Sequence, residues 1–193
     1  MKVCMVREKT LKEFNNTIKP SLQKIDLVLF SSNTIPQISY EKEIINETSI
    51  IKNIVNLSKE INASIIVPSV FNLFNEKQFS VLICENGKLI DIISENEKNK
   101  IHLFLLNKKR LALFINNELF KDEIVKETMK CGVDIALSII EEDKLETISN
   151  RLKNLQKEYN SIYLTLTPNR LFSISKENNV VEVNFHDFFV KEF

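Results

Sequence analysis

The sequence predicts an α/β protein with two mixed β-sheets flanked by helices, arranged as an α-β-β-α sandwich. Two observations lead to this prediction. Short apolar runs alternate with amphipathic stretches, which favours parallel β-α-β pairing. Other apolar runs follow one another directly across short turns, which favours antiparallel hairpins. A single doubly wound parallel sheet would not contain so many adjacent strand pairs.

The composition is that of an ordinary globular protein. The chain has 193 residues, of which 44% are hydrophobic and 27% charged, so we expect residues 1–193 to form a single domain. Lys plus Arg equal Asp plus Glu at 26 each, so no net field favours nucleic acid or an anionic membrane as a partner. No apolar run is long enough to span a bilayer, and the N-terminus lacks a signal-peptide core. We therefore expect a cytoplasmic location.

The residues that usually hold metals and cofactors are scarce. The cysteines Cys4, Cys84 and Cys131 are scattered, and only two histidines are present, so neither a disulfide framework nor a metal site is expected. The two glycines, Gly87 and Gly132, are too far apart for a P-loop or a dinucleotide-binding turn. We expect no cofactor.

The first half of the chain alternates strands and helices. Its strands are predicted at 2–6, 25–30 and 63–70. Apolar residues at helical spacing predict one helix around Leu11 to Leu22, strained by Pro20, and a long amphipathic helix from Ile44 to Ile61. Residues 79–93 place two apolar runs around Asn86-Gly87, the strongest short-range hairpin signal.

The second half continues the pattern. Runs at 101–106 and 110–115 predict another strand pair, and a helix is expected at roughly 119–131, ending at Gly132. A strand at 133–140 and a helix at 142–159 follow. The remaining strands are predicted at 161–166, 171–175 and 180–185. The phenylalanine-rich end "FHDFFVKEF" is either a last strand anchored in the core or a docking segment for a second subunit.

Four stretches, taken in order, resemble the carbon–nitrogen hydrolase (nitrilase) superfamily. They are "KIDLVLFSS", "INASIIVPSV", "QFSVLICENGKLIDIISE" and "KRLALFINNELFKDEIVKETMKCGVDIAL". The resemblance covers roughly residues 1–140, and beyond that only the order of elements supports it. It implies the α-β-β-α fold and a homodimer that packs sheets across a two-fold axis.

The resemblance also implies where the family's Glu-Lys-Cys triad should stand. The general-base glutamate position is Ser32, the lysine position is Glu95, and the nucleophile position is Asn116. None matches, so no residue is assigned a catalytic role. The string "KIHL" at 100–103 is similar to the family's Lys-x-His-Leu, but its position better suits the strand that precedes the nucleophile strand.

These substitutions remove the chemistry of the triad. A carboxamide is not a nucleophile comparable to a thiolate, and a serine hydroxyl does not accept a proton near neutral pH. A glutamate would oppose the negative charge that develops on the oxyanion, where losing even one donor costs on the order of 10²–10³ in rate. Slippage of the alignment does not help, because no cysteine lies within about ten residues of Asn116.

Residues Asn116, Asn117 and Glu118 permit two interpretations. With Ser32 and Glu95 they could form a vestigial pocket for a small polar ligand. Alternatively, asparagine at a strand-to-helix turn accepts backbone N–H groups at the helix start, and Glu118 suits the positive end of the helix dipole.

We therefore predict a catalytically inactive nitrilase-like protein, a pseudoenzyme with a binding or interaction role. The alternative is a hydrolase of non-peptide C–N bonds that uses other residues, such as Glu118, Glu95 or His102. An unrelated α/β domain is a third possibility. His186-Asp187 has no nucleophile placed with it, and we expect Cys84 and Cys131 to be small apolar core residues.

Overall fold

The structure is a computed structural model with two compact units. It describes residues 1–6, 14, 24–31, 35–73, 76–95, 100–106, 108–141, 145–168, 170–175, 180–183 and 188–192. The first unit comprises Met1–Glu97 with His186–Glu192, and the second comprises Lys98–Phe185 with Phe193. Each contains one mixed sheet. Whether residues 1–193 form one domain stays a prediction.

The first unit has a seven-stranded sheet. Its strands, with the two helices that belong to this unit, are β1 (Lys2–Val6), β2 (Leu27–Phe30), β3 (Ile38–Ser39), α1 (Tyr40–Ile44), α2 (Ile50–Ile61), β4 (Ser64–Leu73), β5 (Glu76–Glu85), β6 (Lys88–Ser94) and β13 (Phe188–Glu192). The order is β13-β1-β2-β4-β5-β6, and β3 also pairs with β4. β1, β2, β3 and β4 pair in parallel, whereas β13, β5 and β6 add antiparallel edges.

Helix α2 covers one face of this sheet through an apolar stripe. Ile54 and Leu57 of α2 are buried with Val28, Ile65 and Leu82 of the sheet. The helix-facing residues alternate along each strand, because successive strand side chains point to opposite faces.

The predicted long helix from Ile44 to Ile61 is wrong, because the chain forms two helices there. α1 ends at Ile44, and α2 begins at Ile50. The carboxylate of Glu43 accepts hydrogen bonds from the backbone N–H groups of Ile50 (2.9 Å) and Ile51 (3.1 Å). It therefore satisfies the first amide groups of α2, which have no partner inside the helix.

The hairpin predicted around Asn86-Gly87 is confirmed. β5 and β6 are antiparallel and joined by these two residues, which have φ of +49° and +77°. Positive φ at both positions is what a type I′ turn requires. The N–H of Gly87 donates to Ser58 Oγ (2.9 Å), which fixes the turn to α2.

The second unit has a six-stranded sheet in the order β12-β11-β10-β9-β8-β7. Its elements are β7 (His102–Leu106), β8 (Lys109–Ile115), a 3₁₀ helix (Asn116–Phe120), α3 (Asp122–Met129), β9 (Ile135–Ile139), α4 (Leu145–Tyr159), β10 (Ile162–Leu166), β11 (Leu171–Ile174) and β12 (Val180–Val183). β8, β9 and β10 are parallel, and the other pairs are antiparallel.

Helices α3 and α4 cover one face of the second sheet. Val125 and Met129 of α3 and Ile148, Leu152 and Leu155 of α4 are buried in one apolar cluster. Its sheet side consists of Ala112, Phe114, Ala136, Tyr163, Phe172 and Ile174. The predicted helix at 119–131 is therefore a 3₁₀ helix followed by a shorter α-helix, and a positive φ of +72° at Gly132 follows it as expected.

The predicted fold class, two mixed sheets flanked by helices, is confirmed. Phe188–Glu192 form the last strand, β13, which pairs with β1, so the predicted last strand is confirmed. Docking of this segment on a second subunit stays a prediction. The helix predicted around Leu11 to Leu22 lies outside the described residues except for Phe14, which is buried against Phe30. No helix in the described ranges has the length and apolarity needed to cross a membrane.

Candidate functional site

The junction between β8 and the 3₁₀ helix contains Asn116, Asn117 and Glu118. β8 lies inside its sheet, between β7 and β9, and ends at Ile115. Asn116 follows with a φ of +50°. Asparagine is one of the few residues other than glycine that visits this left-handed region readily. The chain therefore turns sharply at Asn116, and we call residues 115–118 the elbow.

The side chain of Asn116 is bonded to Glu141, just beyond the end of β9. Its Nδ2 donates to Glu141 Oε2 (3.1 Å), and its Oδ1 accepts from the backbone N–H of Glu141 (3.0 Å). The prediction that this asparagine caps the helix start is wrong, because the amide group reaches the neighbouring strand instead. Asn116 joins the carboxyl ends of two parallel strands.

Glu118 provides the local cap that the sequence suggested. Its Oε2 accepts from the backbone N–H of Ile115 at 2.8 Å, and the residue is only 8% exposed. A carboxylate beside the first turn of a helix is favoured by the exposed N–H groups there. Asn117, between the two, is exposed.

The other two predicted site residues lie elsewhere in the chain. Ser32 is outside the described residues. Glu95 belongs to the first unit, where it is exposed directly after β6, and its backbone N–H donates to Phe79 O (3.1 Å). The structure thus brings Asn116, Asn117 and Glu118 together, and the five-residue pocket stays a prediction.

All three cysteines are described, and none lies at the elbow. Cys4 and Cys84 are fully buried in the core of the first unit, where burial raises the pKa of each thiol to about 12. They are core residues, as expected for Cys84. Near neutral pH both remain protonated, so neither supplies a thiolate.

Cys131 differs from the prediction, because it is exposed after α3 instead of buried. Its carbonyl oxygen accepts a bond from Arg110 Nη1 (2.9 Å), which places it near the start of β8. A strand rises by about 3.3 Å per residue, so Arg110 and Asn116 are about 20 Å apart along β8. Cys131 and the elbow therefore lie at opposite ends of β8.

The two histidines of the chain were the remaining candidates for a functional role. His102 is buried on β7, opposite Leu113 of β8, so the "KIHL" string leads into the strand that precedes β8, as predicted. His186 and Asp187 lie outside the described residues. Within the ranges that the structure describes, no group of three or more His, Cys, Asp or Glu side chains is arranged to hold a metal ion.

Comparison with known proteins gives a match at the level of structure. No protein-family model matches the sequence, and no curated protein matches it. An amidase of Nesterenkonia sp. AN1, from the nitrilase superfamily, superposes with a TM-score of 0.72 over 98% of this chain and 89% of its own, at 9% identity. Its form without the histidine tag gives 0.73 over 100% and 92%, at 8% identity. The chain has the nitrilase-superfamily fold.

The nitrilase-fold amidase has been solved in states that report on its chemistry. One structure, of a glutamate-to-glutamine mutant, contains the product of Michael addition of acrylamide at the active-site cysteine. It has a TM-score of 0.73 to this chain over 100% of it and 93% of the amidase, at 8% identity. Another is a complex of a cysteine-to-alanine mutant with butyramide. These observations concern the amidase, and at such low identity the likeness carries the fold alone.

Two residues that the sequence analysis did not single out bind the elbow and the 3₁₀ helix that continues from it. Glu141 binds Asn116, as described above. Arg151 of α4 donates from Nε to Leu119 O (2.9 Å), and its Nη2 forms an ion pair with Asp122 Oδ1 (2.7 Å). Glu141 had a signal in the sequence, because it follows the strand parallel to β8, and the carboxyl ends of parallel neighbours meet at one edge. Arg151 had none.

Proposed function

We propose that this protein is a pseudoenzyme: a nitrilase-fold chain without cysteine-dependent hydrolysis that acts as a binding or interaction module. The observation that carries the proposal is the elbow residue itself. Asn116 occupies a sharp strand-to-helix turn of the kind that presents nucleophiles in hydrolases, and its side chain is a carboxamide already bonded to Glu141.

The distribution of thiols supports the proposal. Nucleophilic attack on an amide or nitrile carbon needs a populated thiolate at the attack position. Two of the three thiols have pKa values raised to about 12 in an apolar core, and the third lies at the other end of β8 from the elbow. No cysteine is left for the reaction.

The base and the cation of the triad are absent from the positions that the resemblance assigns to them. Ser32 and Glu95 stand there, and neither replaces a glutamate base or a lysine. Glu118 is a carboxylate within the elbow, but it accepts the N–H of Ile115, which holds it in a structural role. Asn117, which is exposed beside it, is the residue through which a small polar ligand would make contact.

A homodimer and a cytoplasmic location belong to the same proposal. The family resemblance suggests the dimer, and sedimentation or light scattering of the purified chain tests it directly. All three cysteines are free, which is usual for a protein of a reducing compartment.

Covalent labelling tests the absence of a catalytic thiol. Acrylamide and fluoroacetamide adducts at the active-site cysteine are seen in glutamate mutants of the Nesterenkonia amidase. Incubation of the native protein with either reagent should modify Cys131 alone, which peptide mass mapping detects. The reaction should be as fast as that of the same reagent with free glutathione. Cys131→Ser should remove the label. An adduct on Cys4 or Cys84 in the native state, or much faster labelling of Cys131, would contradict the proposal.

Reconstruction of the triad tests whether the scaffold keeps the site geometry. Asn116→Cys alone places a thiol at the elbow without the glutamate and lysine of the family's triad. Combining it with Ser32→Glu and Glu95→Lys adds the groups that lower the thiol pKa and accept its proton. If the three positions converge, the triple variant should add fluoroacetamide faster than the single variant. Equal rates would contradict that convergence.

A further inference from the structure

The first unit contains a pocket of about 310 Å³ that no part of the proposed function uses. It is lined by Tyr40, Phe71, Gln78, Ser80, Ile92 and Ser94. Cavities near this size, with apolar walls and a few polar groups, are the usual form of small-molecule sites.

The pocket lies on the face of the first sheet that α2 partly covers. On β5, Ser80 and Gln78 share the face of Leu82 and Cys84, because alternate side chains point the same way. The register pairs Ser80 with Ser94 and Leu82 with Ile92. The face is thus closely packed around Leu82 and Cys84, and the pocket lies farther along the same face.

The pocket exists because the side chains on this part of the sheet are short and the helix above it, α1, is also short. Beyond Leu82 the sheet offers the short hydroxyl side chains Ser80 and Ser94 in place of large apolar ones. α1, which contributes Tyr40 to the lining, has only five residues, none of them buried.

The polar groups of the pocket suit an uncharged ligand. Ser80 is 1% exposed, and its Oγ lies 2.8 Å from Ser94 Oγ. Ser80 Oγ also donates to Gln78 O in a long bond of 3.5 Å, so Ser94 donates within the pair and its oxygen is left to accept from a ligand. A ligand oxygen that displaces the long bond would receive the Ser80 proton instead. The Gln78 side chain adds an amide.

The described lining residues carry no charge. None of the described lining residues is Asp, Glu, Lys, Arg or His. A charged ligand group would lose its hydration without gaining an opposite charge, which is strongly unfavourable. Phe71 and Ile92 supply apolar walls for the body of a ligand.

We propose that this pocket binds a small uncharged molecule with an aromatic or branched aliphatic body and one amide or hydroxyl group. The polar group bonds to the Ser80–Ser94 hydroxyl pair, and the body packs between Phe71 and Ile92. The site uses no residue of the elbow, so this inference can be tested independently of the pseudoenzyme proposal.

Three probes of nearly equal shape test the inference on the full chain. Benzamide is neutral, benzoate is its anionic counterpart, and benzamidine its cationic counterpart. In NMR titrations of the ¹⁵N-labelled protein, benzamide should bind with a millimolar Kd, as a molecule of this size does, and shift the amide signals of Gln78, Ser80 and Ser94. Benzoate and benzamidine should bind at least about tenfold more weakly.

Variants then separate the hydroxyl pair from general effects on the fold. Ser80→Ala and Ser94→Ala should each weaken benzamide binding about fivefold, the usual effect of losing one hydrogen bond. Ser138→Ala is the matched control, because Ser138 forms a similar hydroxyl pair with Thr165 (2.7 Å) in the second unit. Ile92→Phe, which fills the pocket and keeps both serines, should abolish binding.

Three outcomes would overturn the inference. One is equal affinity for the three probes, and another is the absence of benzamide binding up to its solubility limit. The third is a set of shifts confined to Asn116–Glu118, which would instead place the amide at the elbow. Because the shifts are assigned residue by residue, binding at this pocket is distinguishable from binding at the elbow.

Discussion

Asn116 and Glu141 form two hydrogen bonds with each other across the ends of parallel strands β8 and β9. The amide nitrogen of Asn116 reaches the Glu141 carboxylate, and the backbone N–H of Glu141 reaches the Asn116 carbonyl oxygen. Asn116 stands where the family resemblance places the nucleophile. Its side chain instead links the carboxyl ends of two neighbouring strands. This relationship links the fold to the proposed loss of catalysis.

Substitution of Asn116 should therefore act on stability. Asn116→Ala loses both bonds and puts a methyl-bearing residue at a φ of +50°, so we expect the free energy of unfolding to fall by about 2 kcal/mol. Asn116→Gly loses the same bonds and accommodates the backbone, so about 1 kcal/mol is expected. Urea unfolding measures both. Asn117→Ala, at the exposed neighbour, is the control and should change stability by less than about 0.5 kcal/mol. A glycine variant less stable than the alanine variant would refute the backbone argument.

Arg151 should hold the 3₁₀ helix in place. Arg151→Met keeps the apolar part of the side chain and removes the bond to Leu119 O and the ion pair with Asp122. Asp122 is largely exposed, so the ion pair contributes little, and we expect a loss of about 1–2 kcal/mol, mainly from the bond to the carbonyl.

Hydrogen exchange gives a local readout for the same variant. Amides of residues 116–122 should exchange faster in Arg151→Met than in the wild type, whereas Lys153→Met on the same helix should leave them unchanged. Unchanged exchange in both variants would mean that Arg151 does not hold the 3₁₀ helix in place.

The capping carboxylate of Glu43 should stabilise α2. Glu43→Ala removes the acceptor for the N–H groups of Ile50 and Ile51, and loss of such a cap costs about 1 kcal/mol. Thermal unfolding followed by circular dichroism measures the change. The control is Glu47→Ala, an exposed residue of the same connection. Equal effects of the two substitutions would argue against the cap.

The buried thiols should make the protein less stable at alkaline pH. Burial raises the pKa of Cys84 from 9.0 to about 12, so the unfolded chain releases the thiol proton first. Below pH 9 the effect is absent, and from about pH 9 to 12 the free energy of unfolding should fall by about 1.4 kcal/mol per pH unit for each such thiol.

The variant Cys84→Ala isolates this contribution. Urea midpoints measured between pH 8 and about 11 should decline less steeply in the variant than in the wild type, by one proton's worth of slope. A parallel decline in the two proteins would show that the Cys84 thiol does not titrate differently in the folded and unfolded states.

The parts of the fold that depend on residues close together in the sequence could be predicted from it. The Asn86-Gly87 hairpin needs only two residues with positive φ between apolar runs, and both sheets could be drawn from such local patterns. The break between α1 and α2 could not, because the apolar spacing of Ile44, Ile50 and Ile54 satisfies one helix as well as two. It depends on Glu43 reaching seven and eight residues ahead.

The site was predictable only in its residue types. The polar run Asn116–Glu118 was recognisable at the end of an apolar strand, but the partner of Asn116 lies 25 residues away, and that of Leu119 lies 32 away. Such partners are determined by strand order and helix packing. Cys131 was expected in the core because free cysteine is usually a buried apolar residue, but it lies in the exposed turn after α3.

The most direct test of the central claim is the release of ammonia from a panel of simple amides, including butyramide and acrylamide. The Nesterenkonia amidase, assayed in parallel, is the positive control. The account predicts no release above the protein-free blank for this chain, and none after Cys131→Ser or Glu118→Gln. Turnover by the wild type that either substitution removes would contradict the account and establish a hydrolase with a non-standard catalytic set.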